Sequence, residues 1–154
     1  MHSITLRPAT WEDADSLYHL HRASLMEYVE QTYGKWDEEW QRQHFRQHFH
    51  PDACQVIVSE GQDVGIICQV EREEEVFLSI LKVLPEYQGR GIGTSIIQSV
   101  LREAHRKGMP VALQVFKVNP ARRLYERLGF VTTGETETHH QMRATPVPTP
   151  NTDT

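Results

Sequence analysis

The spacing of apolar residues changes along the chain, and each change predicts a new element. Ile4 and Leu6 alternate with polar neighbours, so Ser3 to Pro8 predicts a short strand. Leu17, Leu20, Leu25 and Tyr28 then recur near helical spacing, with Thr10 or Asp13 placed to cap the helix. Thr32-Tyr33-Gly34-Lys35 breaks that pattern. A second helix is predicted from about Asp37 to Phe49, anchored by Trp36, Trp40, Phe45 and Phe49 and ended by Pro51. Strand-like runs follow at Gln55–Val58, Val64–Val70 and Val76–Leu84. They are separated by Glu60-Gly61-Gln62-Asp63 and by the acidic turn Glu71–Glu75. Gly91 to Lys107 is amphipathic, with Ile92, Ile96, Ile97, Val100, Leu101 and Ala104 on one side and Gly108 placed to end it. Val111–Phe116 reads as a buried strand. Asn119-Pro120 starts a helix that Gly129 ends, and Val131–Thr133 with Thr138–Arg143 reads as a final hairpin, with Gly134 near its turn.

Within the third of the middle strands the phase slips. Val76, Leu78 and Ile80 share one parity, whereas Leu81 and Val83 continue on the other. Two readings stay open: a β-bulge near Ile80–Leu81, or a strand buried on both faces, where parity carries no signal.

Length and charge narrow the function. The 154 residues suit one domain with a real core. A net charge of −5 offers no broad basic surface for nucleic acid, and no long apolar run predicts a membrane span. The acidic balance suits a cationic small molecule. Cys54 and Cys68 form no CxxC and read as buried thiols of a reducing, cytoplasmic compartment rather than a disulfide framework. Ala144–Thr154, rich in proline and threonine, reads as a flexible tail after a domain of residues 1–143.

The chemistry concentrates at Gln88-Gly89-Arg90-Gly91-Ile92-Gly93, between a predicted strand and a predicted helix. Glycines let the backbone approach a ligand, and free N–H groups at a helix start favour an anion. Arg90, Lys117, Arg122 and Arg123 lie near it in sequence. A P-loop is excluded because no Lys-Ser or Lys-Thr follows. A dinucleotide fingerprint is excluded because the third glycine is missing. His44 and His48 have the i, i+4 spacing of a zinc pair, but no third ligand is evident, so no metal is expected.

The run Leu81-Lys82-Val83-Leu84-Pro85-Glu86-Tyr87-Gln88-Gly89-Arg90-Gly91-Ile92-Gly93-Thr94 resembles the acyl-CoA loop of the GNAT N-acetyltransferase family, [Q/R]xxGx[G/A]. Asn119 to Phe130 resembles that family's later segment N-x-x-x-x-x-Y-x-x-x-G-F, and the order of elements also matches. The resemblance implies an α/β (α+β) fold. It would have a mixed, mostly antiparallel sheet of about seven strands with a splayed, bulged central strand, flanked by about four helices.

It also implies acetyl-CoA as acyl donor and a primary amine as acceptor. Backbone groups of Leu81, Lys82 and Val83 would pair with the pantetheine arm. Gln88, Gly89, Arg90, Gly91, Ile92, Gly93 and Thr94 would cradle the pyrophosphate, and Asn119 would contact the donor. Tyr125 would protonate the leaving thiolate. The plain structural roles are a helix cap for Asn119 and packing for Tyr125. The positions where the family often carries a basic glutamate hold Phe77 and Gln114. Glu27, Glu30, Glu75, His139 and His140 are candidate bases, and none is assigned. The alternative to an enzyme is a non-catalytic CoA-binding or sensor module. Neither nucleic acid nor membrane is expected as a partner, and a homodimer stays open.

Overall fold

The computed structural model describes residues 3–146. Seven strands form one open sheet in the order β1-β2-β3-β4-β5-β7-β6. They are β1 (Ile4–Pro8), β2 (Cys54–Ser59), β3 (Gln62–Glu71), β4 (Val76–Val83), β5 (Val111–Phe116), β6 (Val131–Glu135) and β7 (His139–Ala144). The helices are α1 (Ala14–Tyr33), α2 (Glu38–His48), α3 (Ile92–Arg106) and α4 (Ala121–Arg127). Every strand pair is antiparallel except β4–β5.

The sheet separates two cores. On one face, α3 and α4 cover Val76, Leu78, Val83, Val111, Leu113 and Val115, and all six apolar residues expected on α3 are buried. On the other face, α1 and α2 cover Val56, Ile66 and Cys68 through Leu17, Leu20, Phe45 and Phe49. Gly34 ends α1 in the left-handed region, and the Asp37 side chain accepts from the Trp40 amide to cap α2. Gly134 lies within β6 rather than at the hairpin turn, beside a register shift against β7.

The phase slip in β4 is a bulge. Gln69 pairs with Leu78 and Cys68 with Ile80, so Ser79 has no partner across the ladder. The bulge thus falls at Ser79, just before the expected place. Its effect on packing is direct: Leu78, Leu81 and Val83 all reach the α3 core, while Ile80 and Leu84 reach the α1–α2 core. Beyond the bulge, β3 runs close to β4. A Cβ on Gly65 would lie 2.5 Å from the Lys82 carbonyl oxygen, so only glycine fits there.

One expectation is overturned. Cys54 and Cys68 face each other across β2 and β3 and are joined as a disulfide, not kept as free thiols. The β2–β3 hairpin turns at Glu60-Gly61, both with positive φ. A register shift between Ile57 and Val58 then brings Cys54 opposite Cys68. The expectation of a reducing compartment rested on free thiols and loses that support. Ala144 is the last residue of β7, and residues 147–154 of the expected tail lie outside those described. No helix among the described residues is long and apolar enough to cross a membrane.

Candidate active site

The parallel pair β4–β5 is joined only at Val76–Val111 and Phe77–Ala112. Past the Ser79 bulge the strands part, and a cleft of about 980 Å³ opens between them. Its floor is the diverging segment Leu78–Val83 against Leu113–Phe116. Its mouth at the β4 end is the turn before α3, and α4 closes the β5 side.

The glycine turn is built for close approach. Gly89 has φ 78° and Gly91 φ 82°, and Gly91 is the residue from which α3 starts. A Cβ placed on Gly89, Gly91 or Gly93 would meet no protein atom within 4 Å, so the space beside this backbone is free for a ligand. The first helical bond of α3 is Ser95 N–H to Gly91 C=O, 3.0 Å, which leaves the preceding N–H groups at the helix start for an anion. The residues therefore fit the pyrophosphate of a CoA donor. Gln88 anchors the turn by donating from Nε2 to the Val83 carbonyl at 2.9 Å.

Leu81, Lys82, Val83, Gln88, Gly89, Gly91, Ile92, Gly93, Thr94, Asn119 and Tyr125 all line the cleft. Arg90 does not; its guanidinium lies over the Tyr87 ring, 4.9 Å from the centroid. Nor do Lys117, Arg122 or Arg123: Lys117 pairs with Glu135, and Arg122 engages His140, Thr132 and Glu126. Arg127 lines the cleft instead, a residue that sequence reasoning did not single out. Asn119 Oδ1 accepts from the Ala121 amide at 2.8 Å, the helix-cap role expected of it.

Tyr125 is largely enclosed, with its ring edge-on to Phe130. Burial pushes its phenol up to about 12. Burial therefore favours the protonated phenol.

Of the bases weighed, Glu75 is held by Arg72 and Arg143, Glu27 accepts from Gln31, and neither Glu27 nor Glu30 lines the cleft. His139 does line it, its ring tilted against Phe116 with centroids 4.1 Å apart, and burial lowers its pKa. His140 lies outside the cleft. On the α1–α2 side, His44 stacks on Trp40 and lies tilted against His48, and no cluster of metal-ligating residues occurs among those described. Two groups here carry no signal in the sequence. Burial lowers His21 to about 3 and Lys82 to about 8.

This architecture, an open sheet parted beside a glycine-turn helix start, defines the N-acetyltransferase fold class. The chain belongs to the GNAT acetyltransferase family, whose domain model, described as "Acetyltransferase (GNAT) domain", matches residues 24–148. An uncharacterized N-acetyltransferase of Methanocaldococcus jannaschii is 28% identical over 139 residues, covering 83% of this chain and 61% of that protein. The ribosomal protein bS18 alanine N-acetyltransferase of Haemophilus influenzae is 34% identical over 76 residues, covering 48% of this chain and 51% of that one. The matches thus span between half and two thirds of the curated relatives' length. Among solved structures, the PaiA N-acetyltransferase of Thermoplasma acidophilum, in complex with coenzyme A, superposes with a TM-score of 0.73 at 20% identity, covering 93% of this chain and 99% of that one. These structural likenesses speak to the fold.

Proposed function

We propose that the protein moves an acetyl group from acetyl-CoA to a primary amine by direct attack in a ternary complex. The carrying observation is the parting of β4 from β5 after two residue pairs, with the free α3 N-terminus at one end and Tyr125 in the wall. Backbone N–H groups at the start of α3 hold the pyrophosphate, and the freed edge of β4 at Leu81–Val83 pairs with the pantetheine arm like an added strand. A backbone N–H of that segment polarises the thioester carbonyl as the amine attacks. The C–N bond forms, the C–S bond breaks, and Tyr125 gives its phenol proton to the CoA sulfur. A phenol near 12 is a weak acid for a thiol of ordinary pKa about 8.5, but the same apolar surroundings raise the thiol as well and narrow the gap. No carboxylate is assigned as base; the amine proton leaves through water, and water returns a proton to the Tyr125 phenolate.

A thiol-release assay with acetyl-CoA and a panel of amines tests this reading. Turnover on any primary amine supports it. Tight acetyl-CoA binding with no release across the panel supports the sensor alternative instead.

A further inference from the structure

The acceptor class follows from a charge asymmetry in the cleft, on the reading of that cleft as an acyltransferase site. The chain carries 21 acidic residues and a net charge of −5, yet no aspartate or glutamate lines the cleft among the described residues. The acidic balance that suited a cationic acceptor does not reach the site.

Lys82 lies on β4 just beyond the bulge. Leu81 and Val83 reach the α3 core, so alternation sends Lys82 to the opposite face with Ile80 and Leu84, beneath α1 and α2. The residue is half-buried and opens on the cleft, and its deep setting lowers the ammonium pKa by desolvation. Nothing anionic offsets that burial, and no ion pair to Lys82 occurs among the described residues. Facing it, His21 of α1 feels its positive charge, contacts Gln41 and leaves Nδ1 without a partner. His44 of α2 adds a third group of the same kind. A half-buried ammonium in a cleft without a counter-ion is poorly solvated, and a ligand that brings an anion offsets that cost. The donor's phosphates are held at the α3 end, so the missing anion belongs to the acceptor. Tyr28, Tyr33, Trp40 and Phe116 give the same part of the cleft aromatic walls.

We propose that Lys82 is a specificity-determining residue that pairs with a carboxylate carried by the acceptor, so that the acceptors are amino-acid-like amines with apolar or aromatic bodies and not polyamines.

Matched amines that differ only in the carboxylate test it: phenylalanine against phenethylamine, and β-alanine against propylamine. The wild type is expected to favour the carboxylated member by about 10–100-fold in kcat/KM. Lys82→Met should bring that ratio near one, and Lys82→Arg should restore most of it. Calorimetric titration of 3-phenylpropionate into the enzyme–CoA complex gives a readout free of turnover, with binding weakened about 10–100-fold in Lys82→Met. Binding that depends on Lys82, without thiol release on any amine, keeps the anion site and removes the enzymatic reading alone. A wild-type preference for phenethylamine or putrescine overturns the proposal. So does equal binding of 3-phenylpropionate by wild type and Lys82→Met, or an effect of Lys82→Met confined to KM for acetyl-CoA.

Discussion

The Gln88 side chain and the Val83 carbonyl, 2.9 Å apart, tie the glycine turn to the last residue of the bulged strand. One hydrogen bond thus sets the distance between the strand edge proposed to hold pantetheine and the turn proposed to hold pyrophosphate. Gln88→Ala should raise KM for acetyl-CoA about 3–10-fold with kcat nearly unchanged, the scale of one lost hydrogen bond. An unaltered KM would show that the turn holds its place without this tie.

Gly91 starts α3 with φ 82°, a conformation that costs other residues about 1–2 kcal/mol. Its missing Cβ faces free space, so a larger side chain meets the ligand and not the protein. Gly91→Val should abolish measurable CoA binding by calorimetry while lowering Tm only by several degrees. Normal CoA affinity in a folded variant would move the cradle elsewhere.

Tyr125→Phe should lower kcat by roughly 10²–10⁴-fold and leave CoA binding intact, the scale expected of a general acid. Because burial holds the phenol near 12, loss of its proton should produce no alkaline limb in the wild-type profile below about pH 11. An unchanged kcat removes Tyr125 from the mechanism.

Much of this was legible in the sequence, for identifiable reasons. Helix α3 declared itself because its apolar residues all serve one face, and the glycine turn because its positive-φ positions suit only glycine. The β4 slip was visible as parity, but its position was not. Ile80 is apolar on either face, so only the pairing with Cys68 shows that Ser79 is the extra residue. The disulfide was hidden by a second irregularity, since the pairing of Cys54 with Cys68 depends on the Ile57–Val58 register shift. Lys82 gave no signal because a lysine in an amphipathic strand normally points to water. Its partial burial comes from α1 and α2, which are remote in sequence.

Lys82 also makes a prediction about stability. Its folded-state pKa, about 8, lies below the ordinary 10.5 of the unfolded chain. Below pH 8 both states are protonated and the folded protein bears the full desolvation cost of the charge. As pH rises from 8 to 10.5 the unfolded state binds more protons than the folded one, so stability rises and the cost fades. His21, held neutral by a pKa near 3, and His44, also lowered, do not titrate in that window. Lys82→Met should therefore raise Tm at pH 7 by several degrees, corresponding to about 1–3 kcal/mol, and the gain should shrink towards pH 10. A Tm equal to wild type at pH 7, or a gap that widens with pH, would mean that the ammonium carries no desolvation cost. The measurement thus separates a lysine kept at a cost to stability from one that is merely tolerated, and the former is what an acceptor-binding residue requires.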